Sequence, residues 1–276
     1  MPNDNGFTIE GVVLKKYIGK GEKVVTIPND VTTIGGSAFA FCRSLTAIEI
    51  PNSVTKIGAW AFSGCRSLTE IKIPNSVTEI GDRAFYGCSS LKNITIPKGV
   101  TTIEKETFYD CSSLKNITIP NSVTTIGDWA FNGCNSLKNI VIPNSVTEIG
   151  KNAFYKCSSL TEIEIPKSVT TIGAWAFDSC SSLTEIEIPK SVKKIEYMAF
   201  VNCIKLTNIT ILNGVTEIGE NAFFDCRSLT AITIPDSVTT IGKNIFEGCS
   251  NLKNVTAPAR FKKTLLKELG NKVTFN

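Results

Sequence analysis

Apolar residues in this chain recur in one fixed order: Leu-x-x-Ile-x-Ile-Pro-x-x-Val-x-x-Ile-Gly-x-x-Ala-Phe-x-x-Cys-x-Ser. The order repeats every 23 residues, so that Phe39 is followed at that interval by further phenylalanines as far as Phe246, and Leu45 by leucines as far as Leu252. A period of this length predicts a stacked repeat array, in which each unit touches only its neighbours. Within one unit, Leu45, Ile48 and Ile50 place apolar side chains on one face of a short strand. The proline that follows cannot donate to a strand ladder, so it ends the strand and opens a turn, where Asn-Ser or Lys-Ser is well suited. Val-x-x-Ile predicts a second short extended piece, and Gly-x-x-Ala-Phe-x-x-Cys one or two helical turns with Ala, Phe and Cys inward. About eight inward side chains per unit, each contributing about 1.5–3 kcal/mol on full burial, cannot be covered by one unit alone, so stacking is obligatory. Eleven strand segments, starting at Val24–Ile27, make a body roughly 50 Å long at about 4.8 Å per rung.

The ends read as caps. Residues 1–23 form an N-terminal strand or hairpin cap: two short strands flank Glu10-Gly11, and Gly19-Lys20-Gly21 turns the chain into Val24. Residues 24–258 hold about ten 23-residue repeats, and residues 259–276 form a C-terminal helix–strand cap. There Phe261, Leu265 and Leu269 share one face of a helix stopped by Gly270, before a closing strand Lys272–Phe275. Departures from the consensus are few. Leu212 replaces the proline, Thr107 and Ile245 replace the alanine, and Glu104 and Glu196 replace the glycine. The unit with Glu196, Tyr197, Ile204 and Lys205 is the most irregular. A glutamate twice in the glycine position implies that a left-handed backbone is not required there.

Composition narrows the function classes. Histidine is absent from the 276 residues, which removes the commonest general base and zinc ligand. No nucleophile elbow, phosphate loop or metal-ligand spacing occurs, so neither an enzyme nor a cofactor is expected. The ten cysteines, from Cys42 to Cys249, occupy one register of the repeat without any Cys-x-x-Cys pair, which predicts a column of small apolar core thiols. Neighbouring rungs could still approach disulfide distance. A net charge of +4 gives no strong field for nucleic acid, and no apolar run reaches the roughly 18–20 residues of a membrane span. The start, Met1-Pro-Asn-Asp-Asn5, has neither the basic nor the apolar region of a signal peptide.

The repeat, Leu-x-x-Ile-x-Ile-Pro-x-x-Val-x-x-Ile-Gly-x-x-Ala-Phe-x-x-Cys-x-Ser over residues 24–258, closely resembles the 23-residue leucine-rich repeat of the BspA-like family, found in bacteria and some parasitic protists. The resemblance implies a repeat solenoid of the leucine-rich-repeat kind, right-handed, with parallel strands on the concave face and short helical or irregular turns on the convex side. It further implies an adhesin-like surface or secreted protein that binds a macromolecule, protein or glycan. No residue-level binding motif travels with the family. An intracellular interaction scaffold and a passive structural spacer are the other readings, and a monomer is expected.

Three surface patterns could carry binding. Lys92, Lys115 and Lys138, beside Asn93, Asn116 and Asn139, make a basic-polar block, and the next two rungs carry Glu162, Glu164, Glu185 and Glu187. Like charges side by side cost stability, so the four carboxylates point either to a basic protein patch or a Ca²⁺ ion, or to a solvated face copied by repeat duplication and relieved by Lys167 and Lys190. Nine units carry an aromatic at the outer edge, namely Phe41, Trp60, Tyr86, Tyr109, Trp129, Tyr155, Trp175, Tyr197 and Phe224, in three registers. These form a contact surface if exposed, or wedges between turns if packed. Threonine follows the turn valine from Thr32 to Thr239, with Lys193 the exception, and suits a hydroxyl ladder better than an ice-binding rank.

Overall fold

The computed structural model describes residues 5–19, 21–270 and 273–275. The chain winds into a parallel-strand solenoid of about 11 turns with little helix. At its N-terminal end β1 (Phe7–Glu10) and β2 (Val13–Tyr17) pair antiparallel, and β2 then pairs parallel with Thr33–Ile34. The hairpin thus serves as the first rung of the array and covers an edge that would otherwise stay open.

Each coil has three sides. On the concave side the Ile-x-Ile strands stack in register, as in Asn93–Thr95 on Asn116–Thr118 and Glu185–Ile188 on Asn208–Ile211. Where Leu212 replaces proline, its N–H donates to the Ile188 carbonyl at 3.0 Å, and both strands run to four residues. The second side holds two-residue strands ending in the repeated isoleucine, such as Lys56–Ile57 and Glu79–Ile80. The glycine after that isoleucine is not in a left-handed conformation, as its replacement by Glu implied. Its role is close approach: a β-carbon on Gly81 would lie 2.7 Å from the Ala59 nitrogen of the preceding coil.

The convex side departs from the expected helical turns. It is a run of tight turns, and the only α-helix among the described residues is α1 (Ala259–Leu269). Residues two before and two after the core phenylalanine adopt φ near +60°, as at Trp60 (60°) and Gly64 (69°). Each left-handed residue, costing about 1 kcal/mol where it is not glycine, interrupts helix propagation. It also divides the backbone donors between two directions. Ala61, Ser63 and Cys65 donate within the coil to Gly58, Trp60 and Phe62, while Trp60, Phe62 and Gly64 donate to Asp82, Ala84 and Tyr86 of the next. A helix would keep all these bonds to itself; here alternate N–H groups join the coils instead.

The phenylalanines from Phe39 to Phe246 are buried and stacked, with centroids 5.2 Å apart at Phe39–Phe62 and 5.8 Å at Phe223–Phe246. Tyr17 closes the stack at 5.3 Å from Phe39. At the other end Phe261 and Leu265 of α1 are buried in the same core. Gly270, with φ 64°, ends the helix, and Thr274–Phe275 pairs with Asn254–Thr256. Lys272, with which the closing strand was expected to begin, lies outside the described residues.

Candidate functional site on the concave face

The concave ladder was expected to carry a strand in every unit, but at Thr69–Ile73 only the isolated bridges Glu70–Asn93 and Glu49–Lys72 remain, and a wider gap opens at Lys138–Ile142 and Thr161–Ile165, where neither strand nor bridge forms. The gap separates Asn116–Thr118 from Glu185–Ile188. At its C-terminal side, carboxylates of successive rungs stand over one another, which opposes close pairing; nothing in the side chains explains the loss at Asn139. The coils remain tied one residue earlier, where the Thr161 N–H donates to the Lys138 carbonyl at 2.9 Å and the Thr184 N–H to the Thr161 carbonyl at 3.3 Å.

The gap holds a cleft of about 660 Å³ lined by Asn116, Asn139, Val141, Glu162, Glu164, Glu185, Glu187, Asn208 and Thr210. The structure therefore gathers the four glutamates into one place, all exposed, alternating with the buried Ile163 and Ile186. None of them takes part in the ion pairs of the described residues, although Lys167 also lines the cleft. Among the described residues no three Cys, Asp or Glu side chains converge as metal ligands, which leaves the calcium reading without a coordination shell. Val141, 81% exposed, completes the cleft. Reading the sequence did not single it out; the signal was a valine where the equivalent residues are Thr118 and Glu164.

Lys92, Lys115 and Lys138 are exposed and precede the strand positions, and they do not line the cleft. The Lys115 N–H donates to the Lys92 carbonyl at 2.8 Å, and the Asn116 amide Nδ2 to Asn93 Oδ1 at 2.7 Å. The basic-polar block and the acidic rungs are thus neighbouring surfaces that share Asn116 and Asn139.

The other two patterns are structural. Threonine hydroxyls donate to the carbonyl of the equivalent residue one coil earlier, as from Thr124 to Thr101 at 3.3 Å and from Thr239 to Thr216 at 3.1 Å. The aromatics pack on one another between coils, with Trp60–Tyr86 centroids 5.6 Å apart and Tyr86–Tyr109 4.7 Å apart at an interplanar angle of 3°. Phe41, 66% exposed, and Phe224 are the exceptions, with no such ring contact among the described residues. No described helix is long and apolar enough to cross a membrane.

These features define a leucine-rich-repeat solenoid with an open concave face. The sequence matches the BspA type leucine rich repeat region in six copies, over residues 19–137, 101–230 and 176–267, and the chain belongs to that family. No curated protein matches it. Among solved structures it is similar to a leucine-rich cell surface protein from Faecalibacterium prausnitzii, at 29% identity over 100% of this chain and 92% of that one, with a TM-score of 0.55. A leucine-rich repeat protein from Bacteroides ovatus is 27% identical over 100% and 96% of the two chains, with a TM-score of 0.51. The pneumococcal vaccine antigen PcpA shares the fold at 22% identity over 93% and 81%, with a TM-score of 0.62.

Proposed function

We propose that the protein is a non-catalytic interaction scaffold of the adhesin-like kind, holding a macromolecular partner, protein or glycan, across its concave face. The observation that carries the reading is the cleft around Glu162, Glu164, Glu185 and Glu187, four exposed carboxylates that join none of the ion pairs of the described residues, at a gap in the strand ladder. A partner presenting cations or hydroxyl donors would satisfy them, and Lys92, Lys115 and Lys138 extend the recognition surface N-terminally. The absence of histidine, and an open face that cannot shield a reaction from water, support a binding role. Surface display is favoured by the likeness to the leucine-rich cell surface protein of F. prausnitzii.

The test is a binding screen of the full chain against host matrix proteins and glycans, run beside a variant with Gln at the four glutamate positions. A hit weakened in the variant supports the reading. A hit untouched by the variant moves the site away from the cleft, and no hit on any surface ligand sinks the adhesin-like assignment.

A further inference from the structure

The two-residue strands of the second side run as one ladder from the hairpin to Glu79–Ile80 and as another from Thr102–Ile103 to Thr240–Ile241. The single unpaired junction falls where Glu104 holds the glycine position. At the preceding junction the Thr78 N–H donates to the Thr55 carbonyl at 2.9 Å and the Gly81 N–H to the Ile57 carbonyl at 2.9 Å. At the following one Thr124 and Gly127 donate to Thr101 and Ile103, both at 2.8 Å. The N–H groups of Thr101 and Glu104 have no such cross-coil partner. Gly99 adds to the gap, because Ser76 and Ser122, its equivalents in the neighbouring coils, donate from Oγ to Val54 and Val100. The other flanks stay tied: the Arg83 N–H reaches the Lys105 carbonyl at 2.9 Å, and Glu70 bridges Asn93.

A β-carbon alone does not explain the break, because Glu196 also replaces the glycine and keeps its ladder. There the Glu196 N–H still donates to the Ile172 carbonyl, stretched to 3.3 Å, and Lys194 pairs with Glu196 at 3.2 Å and with Glu217 at 3.1 Å. Glu104 has no such cation. A cleft of about 470 Å³ at the junction is lined by both Glu104 and Asp82. The other charged groups nearby are already engaged. Glu79 pairs with Lys56, and Arg83 grips Glu106 with two bonds of 2.7 and 2.8 Å. Lys105 leans to Glu106 at 3.7 Å, and Asp128 in the following coil accepts the Lys151 N–H at 2.7 Å.

We propose that this flank is a proton-operated joint: the coils of Gly81 and Glu104 stand apart while Glu104 is ionised beside Asp82, and zip together when Glu104 takes a proton from solvent. Burial, together with Asp82, raises the Glu104 carboxyl above its ordinary range, in the direction such a joint needs.

The experiment is site-resolved hydrogen exchange on the full chain, corrected for intrinsic rates, comparing Thr101 and Glu104 with Thr124 and Gly127. Near pH 7.5 the first pair should exchange about tenfold or more faster, and the difference should close toward about pH 5. Glu104→Gln, isosteric and neutral, should close it at both pH values. Equal protection in the wild type overturns the joint. So does a difference indifferent to pH, or one removed by Glu104→Gly but not by Glu104→Gln, which would leave only the steric effect of a side chain. The ligand screen above is independent of every one of these outcomes.

Discussion

The Cys111 thiol donates a hydrogen bond to the Phe85 carbonyl one coil earlier, over 3.2 Å. The same bond runs from Cys65 to Phe39 and on through Cys249 to Phe223. The cysteine column is therefore more than apolar filling, since each buried thiol gives a second donor to a carbonyl that already accepts an N–H within its own turn, as Phe85 does from Cys88. Cys111→Ala should lose both packing and that partner, at a cost of about 1–3 kcal/mol. Cys42 lies at the N-terminal end, is only half-buried, and Cys42→Ala should cost less than about 0.5 kcal/mol. Urea titration of the two variants checks the ranking, and equal losses would remove the hydrogen bond from the account.

Accessibility separates the thiols as well. All ten are free, and burial raises the Cys42 and Cys65 thiols above their ordinary range. Only Cys42 has solvent access sufficient for reaction. Maleimide labelling of the native chain should stop at one adduct, located by peptide mapping at Cys42, and reach ten only after denaturation. Several adducts on the folded protein would mean that the column opens far more readily than its packing implies.

Much of this was legible beforehand because the period fixes the register of every inward side chain. Phe39 to Phe246, the hairpin cap and α1 follow from spacing and stop signals alone. The convex side was misread because Gly58-x-x-Ala61-Phe62-x-x-Cys65 has the inward spacing of a helix. A chain of three-residue turns broken by left-handed Trp60 and Gly64 has that spacing too. Sequence could place Lys167 and Lys190 near the four glutamates but not decide whether their ammonium groups reach them. The gap at Asn139 and Glu162 depends on small separations between rungs, which no local pattern records.

With no histidine in the chain, the side chains able to change stability between neutral and mildly acidic pH are perturbed carboxylates. Burial raises the Asp178 carboxyl, against the lowering effect of bonds from Ser179 Oγ at 2.8 Å and Asn202 Nδ2 at 3.4 Å and of Lys156. Burial raises Asp110 and Glu104 likewise. A carboxyl raised in the folded state contributes stability that is fully present below its unfolded pKa and lost as pH rises through the folded value. The Tm should therefore climb on going from about pH 7 to about pH 5. Asp178→Asn, which fixes a neutral group there, should raise the Tm at neutral pH and flatten the climb. A Tm that falls on acidification in this window would show that other carboxylates dominate.

The outer aromatics obey a size rule in six of the coils. Where tryptophan stands two residues before the core phenylalanine, the residue after that phenylalanine is small or polar, as in Trp60 with Ser63, Trp129 with Asn132 and Trp175 with Asp178. Where the first position is Arg83, Glu106 or Asn152, the second is Tyr86, Tyr109 or Tyr155. In these six coils one ring fills the space, and either position can supply it: Trp129 lies 6.3 Å from Tyr109 and 6.2 Å from Tyr155. Beneath it Asn132 is buried with its Nδ2 unbonded. Trp129→Asn alone should cost about 1–3 kcal/mol through the lost ring, and Asn132→Tyr alone should destabilise by overfilling a space already occupied. Together they rebuild the Asn152–Tyr155 arrangement, in which the Asn152 Nδ2 is buried and unbonded just as that of Asn132 is, so the unbonded amide only changes place and the double variant should lie within about 1 kcal/mol of wild type. A double-mutant cycle measured by chemical denaturation decides the matter. A coupling energy near zero would mean that the two positions fill separate spaces and that the alternation is an accident of repeat copying.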